Sequence, residues 1–207
     1  MSHGVHAVQH EVEHKIEHDE HGGHGGSKDL NKRVALLIAV LALFLAFSET
    51  LGKSAQTAAL NYQIEASNLW NFFQAKNIRR TATIIAAEQT KLGLPAVTDA
   101  EQKAAIQKQV DDWTKTAQRY RSEPETGEGT EQLAEKAKHA EHERDEATAK
   151  YHHFELASAA FQIGIVLASA TIITGMIALA YVGGILTLAG LLMTALGLWW
   201  PHLVHLH

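Results

Sequence analysis

The sequence predicts an all-α membrane protein, with three transmembrane helices and a long, coiled-coil-like helical stalk outside the membrane. Three observations lead there. Residues 34–51, 156–180 and 182–200 hold one charged side chain, Glu49, although the 207-residue chain carries 18 Lys or Arg and 23 Asp or Glu. Glycine is absent from Lys53 to Leu92, from Leu94 to Thr126 and from Thr130 to Ile163. Ala, Gln, Glu, Lys and Leu fill those stretches, and they lose least on entering a helix. No stretch alternates apolar and polar residues with period two, so no strand is expected. The mean hydropathy of −0.11 is a cancellation between unlike regions.

The elements follow in chain order. Residues 1–29 form a His-rich tail, flexible or amphipathic, with histidine at positions 3, 6, 10, 14, 18, 21 and 24. On a helix, His6, His10, His14 and His18 share one arc, with Val5, Val8, Val12 and Ile16 roughly opposite. Imidazoles four apart can share a divalent ion, so weak binding of Zn²⁺, Ni²⁺ or Cu²⁺ is the chemistry this face allows. His10, Glu11 and His14 also match H-E-x-x-H. That motif needs a third ligand and a substrate cleft, which a short glycine-rich tail does not supply.

Residues 30–51 form the first transmembrane helix. The apolar run 34–47 is short, and Ser48, Glu49, Thr50 and Leu51 must join it to cross a core of about 30 Å. A signal peptide is the alternative, but no small-x-small cleavage pattern follows the run. Residues 52–155, with 14 Lys or Arg and 16 Asp or Glu, are well solvated. Helices are read over 30–91, 99–121, 130–180 and 183–200, with loops at 93–98 and 122–129. Three apolar stripes follow a 3,4 spacing: Ala55, Ala59, Tyr62, Ala66, Leu69 and Phe73; Ile106, Val110, Trp113, Ala117 and Tyr120; and Leu133, Ala137, Ala140, Ala147, Tyr151 and Phe154. Such a period marks helices that pack along their length.

Residues 156–180 and 182–200 are long enough to span, with Gly183-Gly184 read as the turn and Tyr181, Trp199 and Trp200 as interfacial aromatics. A short tail, 201–207, follows. Membrane helices associate through small residues, and these fall in rows. Gly183, Thr187, Gly190, Thr194 and Gly197 make one; Gly164, Ala168, Thr171, Gly175 and Ala178 a second; Ala35, Ala39, Ala42 and Ala46 a third. Glu49 continues the third row and should face other helices, level with Gln162. It either lines an ion or proton path, or pairs with Lys53 and hydrogen-bonds Gln162 to hold register. Lys28, Lys32 and Arg33 before the first span favour a cytoplasmic N-terminus.

The stretches Asn31-Lys32-Arg33-Val34-Ala35-Leu36-Leu37, Phe47-Ser48-Glu49-Thr50-Leu51-Gly52-Lys53 and Asn68-Leu69-Trp70-Asn71-Phe72-Phe73-Gln74-Ala75-Lys76 resemble one family. It is the bacterial membrane family called domain of unknown function 4337. The resemblance covers most of residues 30–200 and excludes the His-rich tail. It implies an inner-membrane protein and carries no catalytic or binding residues with it.

These observations exclude several classes. Without cysteine there is no disulfide framework, thiolate metal site or cysteine nucleophile. A pI near 6.3 gives no basic excess for nucleic acid. No phosphate loop, nucleophile elbow or carboxylate pair sits on a plausible element, so no enzyme and no resident cofactor are expected. The expectation is a bilayer-embedded, self-associating protein whose stalk serves as scaffold or partner-binding surface. The alternatives are an ion or proton channel or transporter component using Glu49, and an accessory subunit of a larger membrane complex.

Overall fold

The computed structural model describes residues 25–202, and every element among them is helical. Helix α1 runs over Gly25–Gly93, 69 residues without a break. A 3₁₀ turn, Leu94–Ala96, places Pro95 where its missing N–H costs nothing and tucks Leu94 inside. Helix α2, Ala100–Arg121, starts at Asp99, whose carboxylate accepts from Gln102 N at 2.7 Å. Glu101 in its first turn and Arg119 and Arg121 in its last complement the helix dipole. Helix α3 spans Thr130–Thr174 and α4 spans Ile177–Trp199. Helices α1, α3 and α4 are each long and apolar enough to cross a membrane.

The chain divides into two compact units. The first unit contains the described residues up to Ala58 and those from Glu146 onward. Its core joins Val34, Ile38, Leu41 and Leu45 of α1 to Ala157, Phe161, Ile165 and Ala168 of α3. The inward stripe of α1 continues through Ser48, Gly52 and Ala55. It lies one residue from the row Ala35, Ala39, Ala42 and Ala46, of which Ala39 and Ala46 are exposed and the other two half-buried. The large branched side chains fill this interface, leaving the alanines beside it.

Helix α4 packs on α3 through its glycines. A Cβ on Gly183 would stand 3.2 Å from Gly164 O, and one on Gly164 would stand 3.4 Å from Gly183 O. A Cβ on Gly190 would meet the Phe161 ring at 2.7 Å, and one on Gly197 would meet His153 Cβ at 3.0 Å. Thr194 is buried and Thr187 half-buried on the same side. Their hydroxyls donate back to Gly190 O and Gly183 O, at 2.9 and 2.8 Å, so burial leaves no polar atom stranded. Ala168 and Thr171 of α3 are buried as well.

The turn between the last two apolar segments differs from the one expected. Helix α3 ends at Thr174, with Gly175 at φ 72° and Gly175 N donating to Thr171 O at 2.9 Å. Glycine alone takes that conformation without strain. The expected segment 156–180 therefore stops at 174, and the next begins at 177 rather than 182. Gly183 and Gly184 lie inside α4. Gly175 is exposed with no atom within 4 Å of where its Cβ would be, so it ends a helix and packs against nothing.

The second unit, Ala59–Asp145, holds the rest of α1, the 3₁₀ turn, α2 and the start of α3. Its buried apolar side chains are mostly alanine: Ala66, Ala87, Ala117, Ala137 and Ala140, with Leu94, Val110 and Leu133. The three stripes read from the sequence are the inward ones: none of their residues is exposed, and Arg144, at the one step of the third that is not apolar, is half-buried. Trp70 closes this packing: Nε1 donates to Glu141 Oε1 at 2.9 Å and the ring meets Phe73 edge-on, centroids 5.4 Å apart.

Candidate functional site

In the first unit, the 3,4 stripe of α1 changes character at Ser48. Before it stand Leu41 and Leu45; after it come Gly52 and Ala55, small residues that let α3 approach. A Cβ on Gly52 would already touch Phe154 Cβ at 3.4 Å. Ser48 is fully buried, and its Oγ donates to Phe154 O at 3.0 Å, a direct tie between α1 and α3. Beside this contact runs a groove of about 410 Å³. Glu49, Lys53 and Gln56 of α1 line one wall, and Tyr151, Glu155, Ser158 and Gln162 of α3 line the other.

The three polar residues singled out from the sequence therefore share one groove. Gln162 Nε2 donates to Glu49 Oε1 at 3.1 Å. Lys53 lines the same groove but makes no ion pair with Glu49 among the described residues. Both Glu49 and Lys53 are exposed. Across the groove, Tyr151 Oη donates to Glu155 Oε1 at 3.1 Å. Burial pushes the Tyr151 phenol up from its ordinary value of 10.0, and the hydrogen bond to the Glu155 carboxylate adds to the rise. The groove thus offers carboxylate acceptors, one ammonium and the amides of Gln56 and Gln162. Ser48 spends its single proton on a backbone carbonyl, so it has no base to activate it. Among the described residues, no three His, Asp or Glu side chains gather where a metal ion would bind. His6, His10, His14 and His18 lie outside the described residues.

One buried side chain here escaped the sequence reading. His153 is fully buried, with Nε2 3.1 Å from Pro201 O. A carbonyl only accepts, so Nε2 carries the proton and the imidazole anchors the segment that follows α4. Its Nδ1 is buried without a partner. The close approach of Gly197 is what makes room for it.

The second unit has its own polar centre, at Lys76. This side chain is buried, yet its Nζ lies 3.0 Å from Glu123 Oε2 and 3.9 Å from Glu128 Oε2. The Phe72 and Tyr120 rings stand 5.9 and 5.8 Å from the ammonium, within cation–π range. The hydrogen bond from Lys76 holds the Glu123 carboxyl below its ordinary value of 4.5, with the Lys76 and Arg119 charges adding to it. The Arg121 guanidinium, 2.8 Å from Glu131, lowers that carboxyl likewise. The loop is tied further by Glu123 N donating to Gln132 Oε1 at 3.2 Å and Lys136 Nζ to Gly127 O at 3.0 Å. Lys76 was findable: continuing the stripe Ala66, Leu69, Phe73 by three residues lands on it. A shallow cleft of about 450 Å³ between α1 and α2 presents Arg80, Lys91 and Arg121 beside Glu88 and Asp111, a mixed lining with no dominant sign.

With this geometry in view, the comparison with known families is decisive on kinship. The family described as Domain of unknown function (DUF4337) matches residues 30–200. The chain belongs to that family. It matches no curated protein and no solved structure. The match begins after the His-rich tail and takes in both units, so groove, Lys76 centre and α4 glycines all fall inside the family region.

Proposed function

We propose that this DUF4337 protein is a non-enzymatic, self-associating protein of the bacterial inner membrane, presenting its charged helical unit as a scaffold or partner-binding surface. The observation that carries this reading is the contrast in outward side chains. In the first unit, Leu36, Leu43, Ile163, Val166, Ile185 and Leu188 point outward from helices without a single Lys or Arg between Val34 and Leu51 or beyond Leu156. Apolar side chains in that position suit lipid, and so do the hydroxyls of Ser169, Thr171, Thr187 and Thr194, which donate to carbonyls of their own helices. The second unit carries most of its charge on the surface, around the buried Lys76, and has a mixed-charge cleft.

Three crossings with Lys28, Lys32 and Arg33 on the cytoplasmic side carry residues 52–155 and the C-terminus outward. In this reading Glu49 and Gln162 hold the register of α1 against α3. Purification in mild detergent followed by mass photometry tests self-association. A closed homo-oligomer is expected. A monomer defeats the reading, and a fixed set of foreign subunits replaces it with an accessory-subunit role. Protease accessibility in spheroplasts checks the orientation: cleavage within residues 122–129 from outside is expected.

A further inference from the structure

We infer that α1 pairs with α1 of a second copy of this chain through a second, outward heptad row in the Ala59–Asp145 unit, parallel and in register. This rests on the membrane reading above and names the surface through which the copies meet. Among the described residues of that unit, every large apolar side chain left exposed lies on α1: Leu60, Ile64, Phe72, Ile78, Ile85 and Leu92. Four of them fall on one heptad position. Ile64, Asn71, Ile78, Ile85 and Leu92 are spaced by seven, and Ala75 and Ala82 fill the positions four residues after Asn71 and Ile78. The exposures are 59% at Ile64, 69% at Ile78, 48% at Ile85 and 82% at Leu92.

The row stands apart from the one used inside the chain. Ala66, Phe73, Arg80 and Ala87 form the inward row, each two residues, or about 200°, beyond a residue of the outward one. One neighbour cannot cover both faces. Bare isoleucines at a sustained seven-residue spacing on a solvated helix are a coiled-coil face awaiting its partner. No charged residue occupies the row, Asn71 interrupts it, and Asn68 and Gln89 share the face with Ala75 and Ala82; amides at such core positions select register at a cost in stability. Flanking positions that would oppose each other in a parallel pair, Gln74 with Arg79 and Ser67 with Phe72, set no like charges together. Each open side chain carries roughly 100 Å², so the four on the row remove about 800 Å² from water on two chains, and the flanking Leu60 and Phe72 of each chain bring the total toward about 1,000 Å², the scale a specific interface must reach. A second copy is the occupant that this pattern fits. Two chains inserted alike in one bilayer carry α1 in the same direction, which makes the pair parallel.

Parallel, in-register pairing sets each row residue against its own counterpart, within disulfide reach. The natural chain has no cysteine, so single substitutions report cleanly. Full-length Ile78→Cys and Ile85→Cys, oxidised in detergent and in membrane vesicles, are expected to yield a species of twice 22.7 kDa. Lys115→Cys, exposed on α2, is expected to remain single. Ile78→Glu with Ile85→Glu changes two exposed positions and is expected to keep helicity while weakening the pair at least tenfold. A wild-type oligomer by mass photometry that yields no cross-link at 78 or 85 overturns this inference and leaves the self-association reading standing. A monomeric wild type overturns both. An oligomer unaffected by the paired glutamates also overturns the assignment of this row.

Discussion

The two units bring helices together by different means. In the unit containing α4, glycines open holes into which Phe161, His153 and a facing glycine backbone fit, and the core is built of Leu, Ile and Phe. Among its described residues, Lys150 pairs with Glu146 and His152 with Glu155. In the Ala59–Asp145 unit, alanine does the work of glycine, and ion pairs converge on the buried Lys76. On the membrane reading proposed above, the difference follows from solvent. Where lipid surrounds a helix, apolar surface gains nothing by clustering, so tight fit and internal hydrogen bonds must hold it. Where water surrounds it, a thin alanine core suffices if charged side chains close its edges.

The largest effect should come from filling a hole in the first unit. Gly190→Leu drives a side chain into the fully buried Phe161 ring and should cost about 3 kcal/mol or more. Gly184→Leu, on the same helix with open space before it, should cost little. Thermal circular dichroism of both variants in one detergent checks the contrast. Equal losses would mean that the glycine contacts are not what holds α4 to α3.

Next comes Lys76→Met in the second unit. It leaves Glu123 and Glu128 without their shared ammonium and should lower the unfolding midpoint, whereas Lys115→Met should not. The acid limb sharpens this. Glu123 titrates lower in the folded chain than its ordinary 4.5. The stabilisation it contributes is therefore complete above about 4.5 and is lost as pH falls through the folded value. Lys76→Met should flatten that limb in denaturation followed from pH 7 to pH 3.

A smaller loss is expected at Ser48→Ala, about 1 kcal/mol for one buried interhelical hydrogen bond, read by the same thermal assay. Least of all should come from Glu49→Gln. The amide keeps an acceptor for Gln162, and the position is exposed. The midpoint should not move, and neither should proton leak in reconstituted vesicles. A change in leak would revive an ion path through Glu49.

Much of this was legible beforehand. The loops after Gly93 and Arg121 lie where glycine and proline punctuate the chain, and the three stripes on 55–73, 106–120 and 133–154 are the faces that pack. The row on the first apolar helix was displaced by one residue. Ala35 to Ala46 and Val34 to Leu45 both keep a 3,4 rhythm, and composition alone does not say which of two adjacent rows meets a neighbour. Extending the stripe back from Ala55 through Gly52 and Ser48 selects the right one. The turn was misplaced for a related reason. Gly175, Gly183 and Gly184 are alike in sequence, but a glycine can either adopt positive φ or admit a facing helix.

The sequence by itself determined that the chain is helical, where its charge stops and which residue rows are apolar, because those depend on local propensity and on the period of the helix. Only the tertiary structure decided which glycine turns and which three receive side chains or backbone. It alone brought Lys76 to Glu123, 47 residues away, and His153 to Pro201. Those outcomes depend on which helices lie face to face, and that is settled by shape across the interface rather than by any property of one helix.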